Sequence, residues 1–239
     1  MKRLLSFLII FLLAITALLA RTYIVSVGIA DYPGRQNDLR VSANDAKTIA
    51  DIFKKNGKAE VKSFVNSDVT IQKVCATMRL TFAKATPSDA IILYFSGHGV
   101  PGGLVCYDGF LYYSSVLSIM RQSKAQQKMI FVDACFAGKM RNTNKRNTNY
   151  SKENVMFFLS SRSTEKSLET PRQTGFKNSL FTVFLERGLR GGADTNKDRV
   201  ITAKEIYNFV HQGVVEASGN RQHPVMWGKF DGNMVVMKW

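Results

Sequence analysis

The chain has 239 residues, a formal charge of +15, 45% apolar residues and three cysteines. That length and apolar content suit one sizeable core and exclude a disordered or fibrous chain. Cys75, Cys106 and Cys135 are odd in number and far apart, unlike a disulfide scaffold, and no CxxC pair or shared histidine spacing suggests a zinc site.

Lys2 and Arg3 precede an apolar stretch, Leu4 to Ala20, interrupted only by Ser6 and Thr16. This reads as a secretory signal over residues 1–20, which predicts export to a periplasm or the exterior and leaves 21–239 as one domain. Leu18 fits the small-x-small rule poorly, so an uncleaved membrane anchor stays open, and membrane contact is expected only in that case. The remaining positive charge is mostly dispersed, and its one dense cluster has no aromatic interleaving beyond Tyr150 near its end. A solvated basic surface is expected rather than specific nucleic-acid binding.

Apolar runs then alternate with amphipathic segments. TYIVSVGIA (22–30) reads as a buried strand, and SANDAKTIADIFKK (42–55) as a helix with Ala46, Ile49, Ala50 and Phe53 on one face. Ser42 or Asn44 is its candidate cap. A short strand at 60–65 precedes a helix over 70–85, begun by Asp68 or Thr70 and stopped before Pro87. DAIILYF (89–95) and KMIFVDA (128–134) are buried strands, separated by a glycine-rich hairpin at 100–113 and a helix at 114–122. A strand at 154–161, helices at 178–189 and 203–217, and a short strand near 235–238 complete the chain. Residues 139–152 carry Lys139, Arg141, Lys145, Arg146 and Lys152 around a tandem RNTN, and read as a surface loop. Alternating strand and helix predicts an α/β fold with a doubly wound, mostly parallel sheet covered by helices on both faces.

Sites in such sheets lie beyond the carboxyl ends of the strands. There the 89–95 strand runs into Ser96-Gly97-His98-Gly99, and the 128–134 strand into Cys135. If these strands are neighbours, an imidazole and a thiol converge over the sheet edge, a pairing suited to nucleophilic catalysis. The Gly99 and Cys135 amides are candidates for stabilising an oxyanion. No GxSxG occurs, which argues against a serine hydrolase.

SGHG after an apolar strand, followed by DACFAG, resembles the caspase-like cysteine peptidases, and most closely the metacaspases and their bacterial relatives. Both the cysteine motif and its distance from the histidine differ from the usual caspase signature. The resemblance extends through VGIADYPGRQNDLRVSANDA, FFLSSRSTEKSLE, NSLFTVFLERGLRGGADTNKDRVITAKEIYNFV and QHPVMWG, nearly all of 22–239. It implies His98 and Cys135 as the catalytic pair. It also implies an acidic pocket built on Asp45 and Asp133, with Ser96 and Ser42 completing the wall.

Two carboxylates at a pocket base select guanidinium or ammonium, so the implied partners are proteins or peptides cut after Arg or Lys. The implied activity is that of a cysteine endopeptidase with possible self-cleavage in 139–152; the alternative is a catalytically silent binding module. The dyad needs no cofactor. Asp194 to Glu205 has oxygen side chains at five calcium-loop positions, but Arg199 replaces the usual glycine, and Thr202 to Glu205 reads equally as a helix capping box.

Overall fold

The computed structural model describes residues 20–135, 154–170, 175 and 177–239. In chain order the strands are β1 (Thr22–Gly28), β2 (Ala59–Val65), β3 (Ala90–Ser96), β4 (Gly99–Val100), β5 (Gly103–Cys106) and β6 (Gly109–Tyr112). They continue with β7 (Gln127–Asp133), β8 (Met156–Leu159), β9 (Val200–Thr202), β10 (Val225–Gly228) and β11 (Val235–Lys238). The helices are α1 (Ser42–Asn56), α2 (Ile71–Phe82), α3 (Tyr113–Gln122), α4 (Leu180–Arg187) and α5 (Ala203–Ala217).

The main sheet has the order β10-β8-β7-β3-β1-β2, parallel throughout except for the β10 edge. β3 is buried at every residue, which explains its uninterrupted apolar run: both of its faces are covered. Alternate side chains serve opposite cores. Ile91, Leu93 and Phe95 join Met78 and Phe82 of α2 and Met120 of α3. Ile92 and Tyr94 join Ile49 and Phe53 of α1, Phe181 of α4 and Ile206 of α5. The expected doubly wound, mostly parallel sheet is therefore present, and β3 and β7 are neighbours in register.

Several boundaries and caps differ from the sequence reading. Neither Ser42 nor Asn44 caps α1: the flanking Arg40 and Val41 amides donate to the Glu169 carboxylate, at 2.7 and 3.1 Å, from the far end of the chain. A long-range carboxylate thus fixes the chain as it enters the helix, which has no side-chain cap. Thr70 caps α2 through the Lys73 amide. The glycine-rich stretch at 100–113 forms β4, β5 and β6 as a small antiparallel sheet. β9 and β10 were not anticipated, because each is too short to show a period. The segments 1–19 and 139–152, read as a signal and a basic loop, lie outside the described residues. Among the described residues no helix is long and apolar enough to cross a membrane.

Candidate active site

The strand order places β1 between β2 and β3, so the connections that follow β1 and β3 run to opposite sides and open a crevice beyond their carboxyl ends. The Gly97 amide donates to the Asp133 carbonyl at 3.1 Å, tying the histidine turn to the end of β7. Gly99 lies so close to the cysteine turn that a Cβ there would stand 2.7 Å from the Cys135 carbonyl oxygen. Only a hydrogen side chain permits that approach. His98 and Cys135 consequently border one small cavity of about 40 Å³, shared with Leu39, Ser42, Ser96 and Asp133.

The imidazole is fixed from two sides. His98 Nε2 stands 2.7 Å from the Asn37 carbonyl oxygen. A carbonyl can only accept, so Nε2 carries the hydrogen and Nδ1 is left as the basic nitrogen of the neutral ring. The His98 amide donates to the Tyr32 hydroxyl at 2.8 Å, and that hydroxyl donates to the Val105 carbonyl at 3.1 Å. The Tyr32 ring rests on the imidazole, with centroids 4.7 Å apart. Burial raises the Tyr32 hydroxyl above its ordinary pKa, keeping it a neutral hydrogen-bonding group.

The three thiols are unequal. Cys75 and Cys106 are buried, and burial pushes Cys75 up and Cys106 up to about 12. Thiolates do not form readily there, whereas Cys135 is partly exposed at the crevice.

Two carboxylates lie next to the cavity, Asp133 lining it and Asp45 bonded to Ser96 in its wall. Asp45, in the first turn of α1, is fully buried, and Asp133 is 3% exposed. Asp45 accepts from Ser96 Oγ at 2.8 Å and from the Ser179 amide at 2.9 Å. Asp133 accepts from Ser167 Oγ at 2.5 Å, Thr182 Oγ1 at 2.9 Å and Ser179 Oγ. Burial holds both carboxyls above the ordinary range, and the Asp133 charge raises Asp45 further; the hydroxyl and amide donors oppose this. Among the described residues neither carboxylate forms an ion pair with Lys or Arg. The sequence motifs therefore converge: His98, Cys135, Ser42, Ser96 and Asp133 border one cavity, Gly99 packs against the Cys135 carbonyl, and Asp45 lies behind Ser96. Ser167, Ser179, Thr182, Tyr32 and the Asn37 carbonyl were missed. Hydroxyls and a backbone carbonyl carry no recognisable spacing until the fold assembles them.

In the Asp194–Glu205 loop the acidic side chains are engaged by the loop's own groups. Asp194 accepts the Asp198 and Arg199 amides at 3.2 and 3.0 Å, and Arg199 takes the left-handed φ of 64° in the glycine's place. Glu205 accepts from the Thr202 amide and hydroxyl, completing the capping box, and from the Thr195 hydroxyl. Among the described residues no group of three or more His, Cys, Asp or Glu is placed to hold a metal.

A caspase domain profile matches residues 21–233. The chain belongs to the caspase domain family. Its structure is similar to caspase-1 from Spodoptera frugiperda, with a TM-score of 0.68, 15% identity, and 92% of this chain and 90% of that chain covered. It is also similar to a crystallised protein from Geobacter sulfurreducens, with a TM-score of 0.67, 14% identity, and 88% and 94% covered. No match among curated proteins reaches significance. At these identities the structural likeness establishes the caspase fold, and the profile establishes a caspase-type peptidase at the family level.

Proposed function

We propose that the protein is an exported cysteine endopeptidase of metacaspase type that cleaves after Arg or Lys. The observation that carries this reading is the pair of buried carboxylates next to the cavity that His98 and Cys135 border: Asp133 lines it, and Asp45 stands behind Ser96, one hydrogen bond away. A guanidinium or ammonium descending past the thiol would meet two acceptors that have no cationic partner among the described residues. An aspartate side chain would meet like charge instead.

In the proposed reaction His98 Nδ1 takes the Cys135 proton and the thiolate attacks the scissile carbonyl carbon. The Gly99 and Cys135 amides stabilise the resulting oxyanion. Collapse breaks the C–N bond, with the proton on Nδ1 passing to the leaving nitrogen, and leaves a thioester on Cys135. Water, deprotonated by the same nitrogen, then releases the carboxylic product and the thiol. The chemistry requires no cofactor. The 194–205 loop does not fit calcium, because a cationic side chain stands at the sharp turn and Glu205 is committed to the cap, so no step is routed through it.

The test is hydrolysis of matched fluorogenic peptides ending in Arg, Lys or Asp by mature protein and by Cys135→Ala. Cleavage after Arg and Lys, lost in the variant, is the expected result. Cleavage after Asp would retain the nucleophile and overturn the pocket; no cleavage by intact or loop-nicked protein would favour a binding module. Mass analysis of active protein tests self-cleavage between Lys139 and Lys152, and N-terminal sequencing of the exported chain tests removal of 1–20.

A further inference from the structure

Asp133 is held by a chain of hydrogen bonds whose direction is determined along its length. It begins at Gln222, a fully buried side chain in the turn before β10. Gln222 Oε1 accepts the Leu168 amide at 2.9 Å, and a backbone N–H can only donate, so the orientation of the side-chain amide is settled. Its Nε2 then has two hydrogens to place. One goes to the Ser160 carbonyl at 2.9 Å and the other to Ser167 Oγ at 3.3 Å. Because Ser167 Oγ accepts from Gln222, its own single hydrogen is directed to Asp133 Oδ1 at 2.5 Å.

We infer that Gln222, acting through Ser167, is a positioning residue that keeps Asp133 charged and oriented for a substrate cation. The inference rests on the proposed pocket and adds a residue 89 positions from Asp133 in sequence to its control. The groups facing Asp133 explain why such control is needed. Asp45 from α1 and Asp133 disfavour each other's charge, and both oppose ionisation of Tyr94 from β3, which stays neutral. Glu169, His98 and Cys135 border the same cavity, and no cation balances the pair among the described residues. The remaining stabilisation comes from hydroxyls: Ser167 first, then Ser179, Thr182 and Ser160. Ser167 is the only one of these oriented by Gln222, so the amide is coupled to specificity through one hydrogen.

Ser167→Ala removes that hydrogen, and Ser167 is only half-buried, so the variant is expected to fold. Gln222→Glu replaces the amide donor with an acceptor that competes for the Ser167 hydrogen. Each should raise KM for Arg and Lys peptides about tenfold near neutral pH, the loss of a hydrogen bond to a charged group. The effect should fall on KM rather than kcat. The rise should be largest at acid pH and shrink at alkaline pH, where Asp133 ionises without help. Gln222→Glu should add nothing to KM in the Ser167→Ala background. Binding of agmatine, a small guanidine, followed by thermal shift gives a readout that does not need turnover: wild type should be stabilised, and Ser167→Ala much less.

If wild type cleaves basic peptides but Ser167→Ala keeps its KM and pH profile, or loses kcat as much as KM, the inference is overturned and the pocket stands. If wild type neither cleaves basic peptides nor binds agmatine, the pocket itself is overturned, and the inference with it.

Discussion

Replacing Asp45 by Asn should move stability and activity in opposite directions. In the free protein Asp45 is fully buried, lies beside a second carboxylate and has no cationic partner among the described residues. Its folded-state pKa is raised well above 3.8, so between those values the folded protein holds a proton that the unfolded chain has released. Stability therefore falls as pH rises through that window. Asn removes the charge but retains an oxygen for the Ser179 amide. The variant should melt at or above the wild-type temperature at neutral pH, with the difference vanishing below about pH 4, near the unfolded carboxyl pKa.

Activity should respond the other way. A substrate cation within roughly 4 Å of Asp45 would gain about 4 kcal/mol at the effective dielectric that suits protein sites. Desolvation and the surviving Asp133 reduce the net loss to about 2–4 kcal/mol, which corresponds to about a 30- to 1,000-fold fall in kcat/KM for Arg peptides. Thermal melts across pH 3–8 and steady-state kinetics on one preparation supply both numbers. Full activity in Asp45→Asn would refute the pocket assignment. A variant that is less stable at neutral pH than at acid pH, relative to wild type, would refute the electrostatic account.

Three further outcomes are expected. Brief exposure of native protein to iodoacetamide should alkylate Cys135 before Cys75 or Cys106, with activity lost in proportion to the first thiol modified; intact-mass and peptide mapping follow it. Tyr32→Phe leaves the His98 amide without its acceptor, which should cost about 1–3 kcal/mol in denaturant melts and lower kcat as the imidazole loosens. At Gly28 an added Cβ would meet Ala46 Cβ at 2.8 Å and the Ser42 carbonyl. Gly28→Ala should therefore shift α1, lowering stability by about 1–3 kcal/mol and raising KM for basic peptides, while Cys135 alkylation proceeds at the wild-type rate.

The features legible in the sequence were those that local chemistry writes down. β3 and β7 are continuous apolar runs because both faces of the sheet are covered, and each ends at a small-residue turn that brings backbone close. His98, Gly99 and Cys135 could be found from that alone, whereas Asp133, visible at the end of β7, takes its pocket role only from family resemblance. Asp45 was reached through family resemblance; from spacing alone it is an acidic residue in a first helical turn. The 162–170 segment was legible only as the stretch after a strand. Its content is long-range: Glu169 fixes the chain entering α1, Ser167 reaches Asp133 and Leu168 reaches Gln222. Partners separated by tens to more than a hundred residues leave no local period, and serines are too common to mark a site.

That division has a mechanistic meaning. The groups proposed for bond cleavage come from the ends of two adjacent strands, locked by the Gly97 amide and the close approach of Gly99. The groups proposed for selection come partly from the same two strand ends, Asp133 on β7 and Ser96 on β3, and partly from three other segments: Asp45 on α1, Ser167 beyond β8, and Ser179 and Thr182 at the start of α4. Displacing any of these segments changes how a cation is received, yet leaves the His98 and Cys135 backbone in place. Cleavage chemistry is thus held by two strand ends, whereas residue preference also depends on segments outside them. Substitutions across 165–182 should then redistribute activity among Arg, Lys and uncharged peptides more readily than they abolish reaction at the thiol.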